Sequence, residues 1–157
     1  TFILYLPNRQ VQEVVVGERE NAAGNMGVEN RQKKILIAED VESGYLQINA
    51  FLKKEYTILW VPNGEEAVKS FMREKPDLIL MDIKMPNLDG LEATKIIREL
   101  SATVPIVVQS AYAYPQDQKA AKEAGCSDFI SKPIVQSELK KMLNKWLSPE
   151  LNNKIQE

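Results

Sequence analysis

The sequence predicts an α/β domain: a doubly wound, five-stranded parallel sheet with helices on both faces. Three observations lead there. Short apolar runs alternate with helical patterns five times over about 115 residues. The runs are continuously apolar instead of alternating with polar residues, the pattern of strands covered on both sheet faces. Right-handed crossovers between such strands favour a doubly wound sandwich.

Ile35-Leu36-Ile37-Ala38 is the first strand and ends at Glu39-Asp40. Residues 43–54 read as a helix, with Tyr45, Ile48 and Leu52, and Leu46 and Ala50, at helical spacings. The second strand, Tyr56 to Val61, stops at the turn signal Pro62-Asn63-Gly64. Ala67, Val68, Phe71 and Met72 mark a second helix, broken by Pro76. Asp77 to Asp82 is the third strand, residues 86–90 a loop, and Leu91, Ile97 and Leu100 lie on a third helix. Pro105 to Gln109 is the fourth strand. The helix expected over 115–124 has only Ala120, Ala121 and Ala124 as apolar residues and ends at Gly125, which suits a left-handed cap. Asp128 to Ser131 is the fifth strand. The last helix carries Ile134, Val135, Leu139, Met142, Leu143, Trp146 and Leu147 in a strong 3.6-residue pattern.

The bulk numbers suit one soluble domain with some extra chain. Of 157 residues, 44% are hydrophobic and 27% charged, an ordinary globular balance. A formal net charge of -2 gives no long-range pull on nucleic acid or anionic membrane. No apolar run approaches the roughly 20 residues needed to span a bilayer. Cys126 is the lone cysteine, which excludes an internal disulfide and reads as a small thiol in a reducing compartment. Histidine is absent. His-based acid/base catalysis, internal phosphohistidine and His-ligated zinc are therefore excluded. Chemistry must come from carboxylates, lysines, hydroxyls or a hard cation.

In an open parallel sheet, ligands bind outside the carboxyl ends of the strands. Those ends carry Glu39 and Asp40, Asp82, Gln109 and Ser110, and Lys132 followed by Pro133. Each acid alone would read as a helix cap, Ser110 as a loop hydroxyl and Lys132 as a solvated surface charge. Their convergence on one rim favours a site. Clustered carboxylates cannot all stay ionised without a partner, and oxygen ligands suit Mg²⁺. The Lys132–Pro133 bond is a candidate cis peptide that would aim the lysine inward; the sequence leaves that open.

Four segments combine these residues: Ile-Leu-Ile-Ala-Glu39-Asp40, Leu-Ile-Leu-Met-Asp82-Ile-Lys-Met-Pro86-Asn-Leu-Asp-Gly90, Pro105-Ile-Val-Val-Gln-Ser110-Ala and Phe129-Ile-Ser-Lys132-Pro133. Each is weak alone; their order and spacing are specific. Over about residues 33–148 the chain resembles the receiver domain of two-component response regulators. The resemblance implies a flavodoxin-like sheet of strand order 2-1-3-4-5. It implies Asp82 as the phosphoacceptor, forming an aspartyl phosphate. Asp40 and Asp82 would bind Mg²⁺ directly, with the backbone carbonyl of Lys84, and Glu39 through a water. Lys132 would neutralise phosphoryl oxygens, and Ser110 would hydrogen-bond the attached group. Phe129 stands where the family has a switching aromatic; simple core packing is an equal reading. Phosphorylation would shift Ser110, Phe129 and the fourth helix between two arrangements. The implied partner is a phosphohistidine-bearing kinase or phosphotransfer domain; a homodimer is left open. Direct nucleic-acid binding is not expected of this chain.

Around the domain, residues 8–32 read as a polar linker and 149–157 as a tail. Thr1-Phe-Ile-Leu-Tyr-Leu-Pro7 resembles the last strand of a histidine-kinase ATP-binding domain. That layout is the one of a hybrid sensor histidine kinase, with the receiver in the cytoplasm and any membrane anchor elsewhere in the parent chain. A stand-alone regulator acting by protein contact is the alternative. An aspartate-nucleophile phosphatase would commonly place a second aspartate two residues after the nucleophile, where Lys84 stands here. The expected protein is thus self-phosphorylating, not a turnover enzyme.

Lys84 and Tyr112 lie two residues beyond Asp82 and Ser110, at positions that vary in the family, and could gate the attacking water. Lys84→Ala and Tyr112→Ala are expected to change the lifetime of the phosphoryl group without preventing its attachment. Identical decay rates of the phosphorylated wild type and variants would refute this role.

Overall fold

The computed structural model describes residues 32–111 and 114–148. The expectations for residues 1–7, for the rest of the linker up to residue 31, and for the tail 149–157 fall outside these. Elements alternate in the order β1 (Lys34–Ala38), α1 (Glu42–Leu52), β2 (Thr57–Val61), α2 (Gly64–Glu74), β3 (Leu78–Asp82), α3 (Gly90–Leu100), β4 (Ile106–Ser110), α4 (Pro115–Ala124), β5 (Asp128–Ser131) and α5 (Gln136–Leu147). The strands pair in parallel in the order β2-β1-β3-β4-β5. This is the doubly wound architecture and strand order expected.

Side chains alternate across a strand, so each run of apolar residues feeds two cores. Leu36, Ala38, Ile79, Met81, Ile106 and Val108 face one way and meet Ala67 of α2, Ala93 and Ile97 of α3, and Ala121 of α4. Ile35, Ile37, Leu78, Leu80, Val107 and Ile130 face the other way, beneath Ile48 and Leu52 of α1 and Leu139 and Leu143 of α5. The alanines let α2, α3 and α4 approach their face closely. The thin apolar stripe of α4 is enough for that purpose, with Ala121 and Ala124 buried.

Continuous burial holds for β1, β3 and β4 but not for the edges. Thr57 and Trp60 of β2 are exposed, and only Ile130 of β5 is buried. An edge strand has a neighbour on one side only, and its flanking helix leaves part of it in water. The helical stripes are also narrower than the sequence pattern suggested. Leu46 and Ala50 of α1, Met72 of α2 and Leu100 of α3 point to solvent. A helix lying on a sheet buries one stripe of about 100°, and these positions fall outside it. Ile134 and Val135 precede α5 instead of opening it; Ile134 is buried and Val135 exposed.

Helix ends follow local chemistry. The Asn63 side chain accepts from the Glu66 N–H at 2.8 Å and caps α2; Asp89 accepts from the Glu92 N–H at 2.9 Å and caps α3. Gly125 closes α4 at φ 105°, the left-handed cap that Gly adopts without strain. Among the described residues, no helix is long and apolar enough to cross a membrane.

Leu139 is buried where α5 meets the sheet. Leu139→Ala is expected to lower the unfolding free energy by about 2–5 kcal/mol. Urea titration should show a lower midpoint at an unchanged slope. A loss under about 1 kcal/mol would mean that α5 does not pack as described.

Candidate functional site

The parallel sheet directs its carboxyl ends to one rim. Glu39 and Asp40 follow β1, Asp82 closes β3, Ser110 closes β4, and Lys132 follows β5. Backbone bonds carry the ladder past the strand ends and fix these residues: the Glu39 N–H donates to Val61 O at 3.0 Å, the Ile83 N–H to Gln109 O at 3.2 Å, and the Lys132 N–H to Ser110 O at 2.8 Å.

The side chains then meet. Glu39, Asp40 and Asp82 each offer a carboxylate oxygen, all within 4.8 Å of one another. Lys132 Nζ lies 3.0 Å from Glu39 Oε2 and 3.3 Å from Asp82 Oδ2. The other Glu39 oxygen accepts from the Val41 N–H at 3.1 Å. The Lys132–Pro133 peptide, left open by the sequence, is cis. Glu39 and Asp82 are 1% and 5% exposed, so two carboxylates share one ammonium out of water, while Asp40 stays at the solvent edge.

The electrostatics follow from that crowding. Burial, then the Glu39 charge and its hydrogen bond, push the Asp82 carboxyl up to about 7 against the opposing pull of Lys132. Burial alone would depress the Lys132 ammonium. Its hydrogen bond to Glu39 and the Asp82 and Glu39 charges outweigh that and push it up. Three hard oxygen donors with a surplus of negative charge are the donor set that a small divalent cation takes. The residues therefore fit a Mg²⁺ ion on their chemistry.

Ser110 and Lys84 line an open cleft of about 380 Å³ beside this cluster, with Ile83, Tyr114, Gln116 and Asp117. Phe129 sits lower on β5, in register with Val108, half-buried against the core under α2 to α4. The structure thus joins Glu39, Asp40, Asp82 and Lys132 directly and sets Ser110 and Lys84 at the cleft. Phe129 lies beneath. Tyr112 is outside the described residues.

Sequence reading gave no role to four neighbours of the site. Trp60 was read only as a strand residue, yet its indole donates to Glu39 O at 2.8 Å. Gly44 and Gly90 allow close approaches: a Cβ on Gly44 would lie 3.0 Å from Glu39 Oε2, and one on Gly90 would overlap the Asp82 carbonyl oxygen. These are tertiary contacts without a local signal. Gln109 had one, as an amide inside an apolar run. It is buried in register with Asp82, and among the described residues neither Nε2 nor Oε1 has a hydrogen-bond partner.

Residues 35–144 match the response regulator receiver domain family. The chain belongs to that family. The chain is 28% identical over 151 residues to the sensor histidine kinase GacS of Pseudomonas protegens, a match covering 92% of this chain and 16% of GacS. It therefore spans a small part of that relative. Its fold overlays the crystal structure of the receiver domain of a Pseudomonas aeruginosa sensor histidine kinase, which holds a magnesium ion in its active-site cleft. That overlay has a TM-score of 0.70 and 35% identity, covering 74% of this chain and 98% of the other. It also resembles a chain of the Saccharomyces cerevisiae complex between the phosphotransfer protein Ypd1 and the receiver domain of Ssk1. There the TM-score is 0.69 and the identity 30%, covering 73% of this chain and 88% of the other. The chain is a receiver domain of two-component phosphorelay signalling.

The raised Asp82 carboxyl fixes a sign. Its folded state holds the proton more tightly than the unfolded chain, whose carboxyl titrates near 4. Without metal, stability from this group is complete below pH of about 4 and is lost as pH rises to about 7. The loss is on the order of 2–4 kcal/mol. Urea titrations in EDTA are expected to show Asp82→Asn gaining stability over wild type across this range and the difference levelling off above it. A difference that stays constant from acid to pH 8 would refute the crowding.

Proposed function

We propose that Asp82 is the phosphoacceptor and that this receiver takes a phosphoryl group from the phosphohistidine of a kinase or phosphotransfer domain. The observation that carries the reading is the Lys132 ammonium bridging Glu39 and Asp82 beside Asp40 at the carboxyl end of the sheet. An Asp82 oxygen forms the new P–O bond as the P–N bond to the donor imidazole breaks. The electron pair of that bond stays on the nitrogen, which takes its proton from solvent.

Asp40, Asp82 and the Lys84 carbonyl would hold Mg²⁺, with Glu39 acting through a water. Both Glu39 oxygens already accept hydrogen bonds, which supports the indirect role. The ion, when bound, supplies positive charge at the phosphoryl oxygens, where charge spreads during transfer. Lys132 holds the second cationic position and orients the Asp82 carboxylate. Ser110, at the cleft mouth, donates its hydroxyl to the attached group, and Phe129 follows it inward as the switch. The Phe129 ring has no hydroxyl, so packing alone holds each arrangement.

The match to GacS covers 92% of the chain and so reaches into residues ahead of the receiver. This supports a place within a hybrid sensor histidine kinase, after a kinase ATP-binding domain ending at 1–7 and a linker to residue 32. Kinase sequence upstream in the parent chain would separate that arrangement from a stand-alone regulator.

Incubation with acetyl phosphate and Mg²⁺, followed by intact mass, tests the acceptor. Wild type is expected to gain one phosphoryl group. Asp82→Asn, and wild type in EDTA, are expected to gain none. A gain of equal size in Asp82→Asn would place the acceptor elsewhere.

A further inference from the structure

We infer that Trp60 is a positioning residue for the Glu39–Asp40 pair, and that its stack with Tyr45 clamps the backbone on which a divalent cation is held. The inference rests on the proposed metal role of this rim. It starts from an oddity of the edge strand. β2 needs only a β-prone residue at this half-exposed position, yet it carries an indole whose single donor is committed. Trp60 Nε1 donates to the Glu39 carbonyl oxygen at 2.8 Å. The ring lies flat on Tyr45 of α1, with centroids 4.5 Å apart and planes 6° from parallel.

The backbone bonds here act on the two peptides that flank Glu39. The Glu39 N–H donates to Val61 O at 3.0 Å, so the peptide before Glu39 is tied to the β2 backbone. The indole ties the peptide after it, which leads directly into Asp40. Both ends of Glu39 are thus anchored to the same strand. The Asp40 side chain is exposed, so its carboxylate goes where this peptide sends it. Tyr45 holds the indole plane from the far side, and α1 in turn starts from the Glu39–Val41 turn through the Val41 N–H bond to Glu39 Oε1. Strand β2, the loop after β1 and helix α1 close a ring of contacts around the acids. A stacked aromatic that served packing alone would need no donor, and Phe would do as well.

The probe is Mn²⁺ alone, titrated against the metal-free protein and followed by the electron paramagnetic resonance of the free ion. Trp60→Phe keeps a ring to stack on Tyr45 and removes the N–H. It is expected to weaken Mn²⁺ binding by about three- to tenfold, the scale of one hydrogen bond. Tyr45→Phe, which keeps the stack, is expected to bind as wild type does, and Tyr45→Leu to weaken binding. A merely structural Trp60 would lower the metal-free melting temperature and leave Mn²⁺ affinity unchanged; that result overturns the clamp. If wild type itself fails to bind Mn²⁺, the metal reading of the rim falls first and the clamp with it. Should Trp60→Phe not fold, the Trp60 indole N–H resonance of the wild type decides. A shift and slowed deuterium exchange on adding Mg²⁺ support the clamp, and no response overturns it.

Discussion

Two buried carboxylates sharing one ammonium set the terms for the rest of this receiver. Glu39 and Asp82 lie out of water at 3.0 and 3.3 Å from Lys132 Nζ. One positive charge cannot neutralise two negative ones, and Asp40 adds a third at the rim. In a medium of low effective dielectric the surplus is costly. Burial first, and the Glu39 charge with it, push the Asp82 carboxyl up to about 7. A fold optimised for stability alone would remove one acid or add a cation, so the imbalance marks a place kept for a charged visitor.

Such a site survives only on a stiff frame. The three central strands supply it, since β1, β3 and β4 are buried along nearly their whole lengths and packed on both faces. The loop that carries Lys84 is pinned at both ends by glycines. The Gly64 N–H donates to Leu88 O at 3.0 Å and the Gly90 N–H to Ile83 O at 2.8 Å. A Cβ at either position would strike backbone, Leu88 at Gly64 and Asp82 at Gly90. The carbonyls between Asp82 and Gly90 are held in place by these close approaches, as a backbone ligand would require.

The sequence shows the fold well because period-2 and period-3.6 patterns are local. Five apolar runs and five helical stretches were enough for the class, and Glu39, Asp40, Asp82, Ser110 and Lys132 followed from their places at strand ends. It shows poorly whatever depends on which face a helix turns inward. Leu46, Met72 and Leu100 look like core residues and are exposed, off the helix stripes that meet the sheet. Trp60 and Gly44 stayed hidden for a related reason. Trp60 meets Glu39, 21 positions away, only once β2 pairs with β1, and Gly44 meets its side chain where α1 leaves the strand. Gln109 was visible at the rim as a polar residue in an apolar strand, but its burial directly opposite Asp82 showed only in the structure.

Asymmetry among the acids favours Asp82 over Glu39 for the proposed acceptor role. Glu39 is closed in: one oxygen takes the Val41 N–H, the other takes Lys132, and Gly44 stands against it so closely that even a methyl group there would crowd it. A group so enclosed has no open face for an incoming phosphorus. Asp40 is open but sits at the solvent edge, where water competes with any preorganised donor. Asp82 lies between these extremes. It is buried enough for Lys132 to act strongly on it, and Ile83, Lys84 and Ser110 line the cleft at its side. A nucleophile must also be ionised, and burial together with the Glu39 charge pushes the Asp82 carboxyl up, toward its protonated form. Its reactivity therefore rises when positive charge joins the rim. The same crowding that costs stability makes the proposed acceptor sensitive to what binds beside it.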